Sequence, residues 1–307
     1  MMTSPVLWMS VAGLFILIIG TITVRGELAE ASNLDKLIVL GPTLEGASLA
    51  AFGAEHLTTS RALMQLVPVW MPASLFWVYF VGFGLLAAGL SFALKKHVRL
   101  SAPLLAAMFL IFVLTMDGPG VVAAPHNRET WTLMFREAAF GAGGLAFFTC
   151  SSRQSSITQS RAALSNIFLL VSRLIIGAAI TIFGVNHFMH PNFAPGFSPS
   201  KMTPVWVPFP QFWVYLVGTI LLIAGLAMLF NLASRMAATC VGLTMTALTL
   251  FLYLPIFLIA KGPAQGLVGA NYLWDTLLVA GTALLLADAL PKKSRARALA
   301  PAVEATM

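Results

Sequence analysis

Apolar runs of about 17 to 25 residues recur along the whole chain, and a run of that length crosses a hydrocarbon core of about 30 Å as a helix. There are nine, at roughly 6–24, 37–57, 73–95, 100–116, 131–149, 165–188, 209–231, 236–260 and 270–290. A soluble globule is excluded, because 59% of the 307 residues are hydrophobic and only 9% are charged, against about a quarter charged in soluble domains. The runs lack the apolar–polar alternation that a transmembrane barrel needs. The fold expected is therefore an all-α integral membrane protein, with the lipid bilayer as its first partner. Two runs are weaker than the rest: 37–57 carries Pro42 and Glu45, and 100–116 is short and stops at Asp117-Gly118-Pro119-Gly120.

The net charge of +7 does not point to nucleic acid, because Lys and Arg collect in alternate loops. One side holds Arg25, Lys36, Lys95, Lys96, Arg99, Arg153, Arg161, Arg235, Lys292, Lys293, Arg295 and Arg297; the other holds only Arg61, Arg128, Arg136, Lys201 and Lys261. The positive-inside rule then puts the first side, with the basic tail, in the cytoplasm, and the protein is expected to be multi-pass in a bacterial cytoplasmic membrane. Residues 1–24 contain no Lys or Arg for the n-region of a signal peptide, and no small-x-small cleavage site follows. A retained helix with its N-terminus outside is expected. Cys150 and Cys240 form no CxxC and read as buried small apolar residues.

The chain also repeats itself. Residues 68–79 read PVWMPASLFWVY and residues 204–215 read PVWVPFPQFWVY, eight of twelve positions identical. Around this phrase Gly46-Ala47 and Phe52-Gly53-Ala54-Glu55-His56 match Gly177-Ala178 and Phe183-Gly184-Val185-Asn186-His187 at an offset of 131. Gly82, Gly89 and Arg99 match Gly218, Gly225 and Arg235 at 136, and Glu137 and Gly143 match Asp275 and Gly281 at 138. The sequence thus predicts an N-terminal transmembrane helix (1–30), a first four-helix unit (35–150), a polar linker (151–162), a second four-helix unit (163–290) and a basic tail (291–307). Four spans is an even number, so the two four-helix bundles should run parallel. Glycines seven apart share a helix face and allow close helix approach.

The second unit, with Arg173, Gly177, Phe183-Gly184, His187, a long loop, the LLxAGL segment from Leu221 and a glycine-bearing last helix, resembles the DoxX family of four-helix membrane proteins. The resemblance extends to the first unit, which has Pro42 in place of Arg173 and Glu55 in place of Asn186. It implies a four-helix bundle and an association with quinone-linked or sulfur-linked respiratory chemistry.

Ionisable residues at membrane depth are costly and by default mark function. Here they are Glu45, Glu55, His56, Glu137, Arg173, His187 and Asp275. His187 reads either as a hydrogen-bond and proton partner for a quinone-like ligand or as a helix-end histidine bonding loop backbone. His190, three residues on, makes an HxxH without a third ligand, so no metal is expected. Arg173 is expected to snorkel toward lipid phosphate, and Asp275 and Glu137 read as histidine partners or as solvated helix-start acids. Trp70, Trp206, Trp77, Trp213, Tyr79 and Tyr215 suit an interfacial aromatic belt, or, for Trp70 and Trp206, a lid over the bundle mouth. The expected ligand-binding set is His187, Asp275, Trp206, Tyr215, Arg173, His56, Glu137 and Trp70. No haem, flavin, nucleotide or iron–sulfur motif is recognisable, so a redox role would need a bound quinone or a redox partner protein. The competing class is a non-catalytic binder, transporter or assembly scaffold for lipid-like molecules, and a homo-oligomer fits either.

Overall fold

The computed structural model describes residues 4–153, 159–196 and 203–292. Among them are nine helices of fifteen residues or more: α1 Ser4–Thr23, α2 Asp35–Thr58, α3 Ser74–Leu94, α4 Val98–Phe112, α5 Arg128–Arg153, α6 Gln159–Met189, α7 Pro210–Leu229, α8 Ser234–Leu248 and α9 Pro263–Ala289. Eight of the nine are long and apolar enough to cross a membrane, two of them through the continuous stretches Val98–Ala123 and Ser234–Ile259. The ninth, α5, is long enough but carries Arg136 and Glu137. Residues 151–153 of the predicted linker complete α5, and residues from Gln159 onward begin α6.

The weak run at 100–116 does not stop at Asp117. A π-helical turn, Val113–Asp117, joins α4 to a further helical segment, Gly118–Ala123. Proline lacks an N–H and its ring clashes with the carbonyl four residues back; the wider π turn relieves both at Pro119. The same device recurs 136 residues later, where the π turn Thr249–Tyr253 precedes Leu254–Ile259 and Pro255. Pro42, by contrast, sits inside a single continuous α2.

The repeated phrase builds the same local structure twice. Met71 N–H bonds Pro68 O at 2.9 Å, and Val207 N–H bonds Pro204 O at 3.0 Å. Ala73 and Phe209 then adopt left-handed backbone (φ 55 and 48) as the caps of α3 and α7. The indole N–H of Trp77 donates to Pro72 O at 2.9 Å, and that of Trp213 to Pro208 O at 3.1 Å. Val69 and Val205 stand wholly exposed beside half-exposed Trp70 and Trp206. The phrase is a turn, a left-handed cap and a tryptophan clasp.

Packing interleaves the halves. α2 lies on α3 and α1, but its other long contact is with α9; α6 lies chiefly on α7 and also on α5; α4 packs on α5, α8 on α9, and α5 on α9. The two halves of the chain therefore share walls, α2 resting on α9 and α6 on α5. α2 and α9 are the most buried spans, with 78% and 89% of their windows inside, and they are also the least apolar. The polar groups of this molecule are on the inside and the greasiest helices face outward, the arrangement that lipid favours. Close approach at the crossings depends on glycine: a Cβ at Gly82 would lie 3.0 Å from His56 Cβ, and one at Gly218 2.6 Å from His187 Cβ. Cys150 is half-buried, whereas Cys240 is exposed on α8, which corrects the expectation of two buried thiols: Cys240 lies on the outward face of its helix, where a thiol is apolar enough for lipid.

Candidate functional site

At the end of the bundle away from the basic tail, three inner helices bring charges together. Asn271 and Asp275 lie one turn apart on α9 and so share a face. Asn271 Nδ2 donates to Glu55 Oε1 of α2 at 2.9 Å, and Arg136 Nη1 of α5 donates to Asp275 Oδ2 at 2.8 Å. The side chain of Asp275 is 6% exposed and that of Arg136 21%, so the ion pair is largely shielded from solvent, and Glu55 beside it is buried as well. Glu137, next to Arg136 in sequence, points about 100° away around the helix and lies beside Asp117 at the end of the first π turn. The cluster thus joins Glu55, Asn271, Asp275, Arg136, Glu137 and Asp117, from helices of both halves.

Beside it, residues 190–196 fold into the mouth. Gly196 N–H donates to His187 Nε2 at 2.9 Å, so Nδ1 carries the proton and donates to Phe183 O at 2.6 Å. Tyr253, wholly buried at the end of the second π turn, donates from its hydroxyl to Pro195 O at 2.7 Å. The Arg128 guanidinium lies 4.4 Å over the Phe193 ring, a cation–π contact. Outside the span, His190 has its pKa lowered, first by desolvation and then by the Arg128 charge.

The predicted site residues divide. Asp275 and Glu137 enter the cluster. His187 spends both ring nitrogens on backbone, and His56 Nδ1 donates to Phe52 O at 2.8 Å. Trp70, Trp206 and Tyr215 are exposed, Tyr215 with its ring 5.8 Å from that of Phe188. Arg173 donates to Met228 O and Leu229 O and so closes the C-terminal end of α7. Glu45 stands apart from the cluster: it is wholly buried, neither carboxyl oxygen has a hydrogen-bond partner, and its side chain fits against Gly143, Gly281 and Thr282.

Arg136, Asn271, Tyr253 and Asp117 were not among the predicted site residues. The signal for Arg136 is an arginine inside an apolar run; that for Asn271 is a polar residue one turn before an intramembrane acid. Among the described residues, no three or more His, Cys, Asp or Glu side chains converge as a metal site. The cluster can hold and pass protons between paired carboxyls, and it can offer a guanidinium donor to a polar head group. In comparisons with known proteins, the DoxX family model matches residues 168–254, which run from α6 through the second π turn. No curated protein and no solved structure matches.

Proposed function

With residues 168–254 a DoxX domain, the chain is a DoxX-like multi-pass membrane protein, and from that premise we propose that it is the membrane component of a quinone-linked or sulfur-linked redox system. The observation that carries this reading is the buried Arg136–Asp275 pair with Glu55 and Glu137 beside it. Such groups are costly within a membrane and are retained where protons or polar ligands are handled. Reduction of a quinone to a quinol takes two electrons and two protons. The electrons come from a redox partner protein, and the cluster relays the protons. The ligand's polar head sits at this end, near Asp275 and the exposed rings of Trp206 and Tyr215.

The basic end, by this reading, faces the cytoplasm of a bacterial cell, and the two halves descend from one duplicated unit. Sidedness is checked with Lys261→Cys and Lys96→Cys in a background with Cys150 and Cys240 replaced by serine. In intact cells a membrane-impermeant maleimide should label the first variant only; labelling of the second instead reverses the orientation.

The redox reading is tested by extracting the purified protein for quinones by mass spectrometry and by adding quinone in a thermal unfolding assay. Retained quinone, and a rise in Tm that Asp275→Asn abolishes, are the results expected. No quinone and no shift would end it. A second reading, a non-catalytic carrier or scaffold for lipid-like molecules, is supported by the way Asn271 and Arg136 already satisfy Glu55 and Asp275. It gains if lipid copurifies and Asp275→Asn leaves lipid content unchanged.

A further inference from the structure

Halfway along α2, one ionisable side chain is left out of the cluster described above. Glu45 stands ten residues from Asp35, which pairs with Arg235 and Lys292 at the basic end, and ten from Glu55 in the cluster. At the rise of a helix that is about 15 Å from either. Glu45 is wholly buried, and neither carboxyl oxygen meets a partner in bonding geometry. The Thr282 hydroxyl lies beside it, equally buried and equally unpartnered. Glycine makes the room: a Cβ at Gly143 would lie 3.2 Å from each carboxyl oxygen, and one at Gly281 2.5 Å from the Glu45 nitrogen. The offset of 131 residues leads from Glu45 to Ile176, also buried. The other half fills that place with hydrocarbon, so packing alone does not call for an acid.

Among the described residues Glu45 forms no ion pair. α1 carries no titratable side chain, and Tyr79 of α3 is ten residues from Gly89, whose carbonyl lies against Gly46. On α9, Tyr272 and Asp275 stand nine and six residues before Gly281 and Asp288 seven after it, so that the nearest of them is about 9 Å away along the axis. On α5, Arg136 and Glu137 precede Gly143 by seven and six residues. On α8, Arg235 is paired with Asp35 and Cys240 is exposed. A carboxylate without a counter-charge in such surroundings is costly, whereas a protonated carboxyl is neutral.

Two hydroxyls lead from this niche toward the cluster. Thr282 is seven residues from Asp275 on α9, and Ser48 is seven from Glu55 on α2, so each shares a helix face with an acid of the cluster. Ser48 is also one turn from Glu45; it is wholly buried and donates to Leu44 O at 3.0 Å, which leaves its oxygen able to accept. We propose that Glu45 is a proton-binding site at mid-span, filled from and emptied into the cluster at Asp275 and Glu55. A carboxyl of the cluster loses its proton, the proton passes by exchange of O–H bonds along the Thr282 or Ser48 hydroxyl, and a new O–H bond forms on Glu45. No electron moves, and the negative charge left in the cluster stands beside the Arg136 guanidinium. The site rests on the cluster handling protons, and it holds whether or not the ligand at the mouth is a quinone.

The test is infrared spectroscopy of the full chain in lipid vesicles at neutral pH, read in the carbonyl stretch of protonated carboxyls. Subtracting the spectrum of Glu45→Gln from that of the unaltered protein should leave one such band, and transfer to heavy water should shift it as O–H becomes O–D. Ser48→Ala combined with Thr282→Val should keep the band and slow the shift about tenfold. No band means an ionised carboxylate and overturns the proposal. A band that never shifts marks an acid locked in the packing and overturns it as well, as does an unchanged rate in the double variant. If Glu45→Gln does not fold, Glu45→Met, of similar length, takes its place in the subtraction; if neither folds, the acid is structural and the proposal falls. A lack of bound quinone, which would end the redox reading, leaves each of these outcomes unaltered.

Discussion

The two halves close their shared end alike up to a histidine and then part. In each, the histidine ending the first helix donates from Nδ1 to the carbonyl four residues back, and its Cβ packs over a glycine of the next helix. Beyond that point the first half continues as short helical segments, Ser60–Leu63 and Met64–Leu66, with Ser60 Oγ bonded to Tyr79 OH. The second half folds its loop inward onto His187 Nε2 and Tyr253. At the foot of the two π turns, Asp117 answers to Tyr253, and along the first helices Glu55 answers to Asn186. The same backbone devices recur in both halves, while the groups that bear protons or hydrogen bonds differ between them. One scaffold holds two different polar environments, and the inter-half cluster exists because they differ.

Several variants would break or sharpen this comparison. Asp275→Asn leaves the Arg136 charge without its carboxylate, and breaking a buried pair costs about 3–5 kcal/mol. Glu137→Gln, at the corresponding position, keeps a hydrogen-bonding group against Asp117 and should cost much less. Thermal unfolding in detergent measures both, and equal losses would deny the asymmetry. Gly218→Ala pushes a methyl group into His187, and overpacking of this kind costs about 1–3 kcal/mol. Gly82→Ala, with 3.0 Å of room against 2.6 Å, should lower Tm less. Tyr253→Phe deletes the bond to Pro195, worth about 1 kcal/mol; hydrogen exchange at Ala194 and Gly196 should rise several-fold, whereas Asp117→Asn should leave that segment unchanged. Trp77→Phe and Trp213→Phe each remove one exposed indole clasp, worth roughly 0.5 kcal/mol. Here the two halves should respond equally.

Much of this architecture can be read from residue order, because apolar length and the repeated phrase are local signals. The runs at 37–57 and 100–116 mark where local reading fails. Proline and an acid look like interruptions until the π turn at Val113–Asp117 and the glycine niche around Glu45 show how each is accommodated. The site was less legible. His187 stands where a ligand contact would be expected, yet its partner is a loop backbone nine residues on, which no side-chain pattern announces. Arg136 is overlooked when helix ends are drawn from hydropathy, since the cut falls near it and turns an inner arginine into a loop charge. A repeat, finally, states that two copies exist but not which copy a helix will lean on.

That last point bears on how the molecule is made. Glu55 and Asn271 are bonded across 216 residues of chain, and α2 meets α9, which leaves the ribosome after the other eight long helices. Until then, the acids of α2 sit in the bilayer without their proper neighbours. The early helices have to wait in the membrane, and a chain cut before Pro263 would lose the wall against which the first helix of its first half is built.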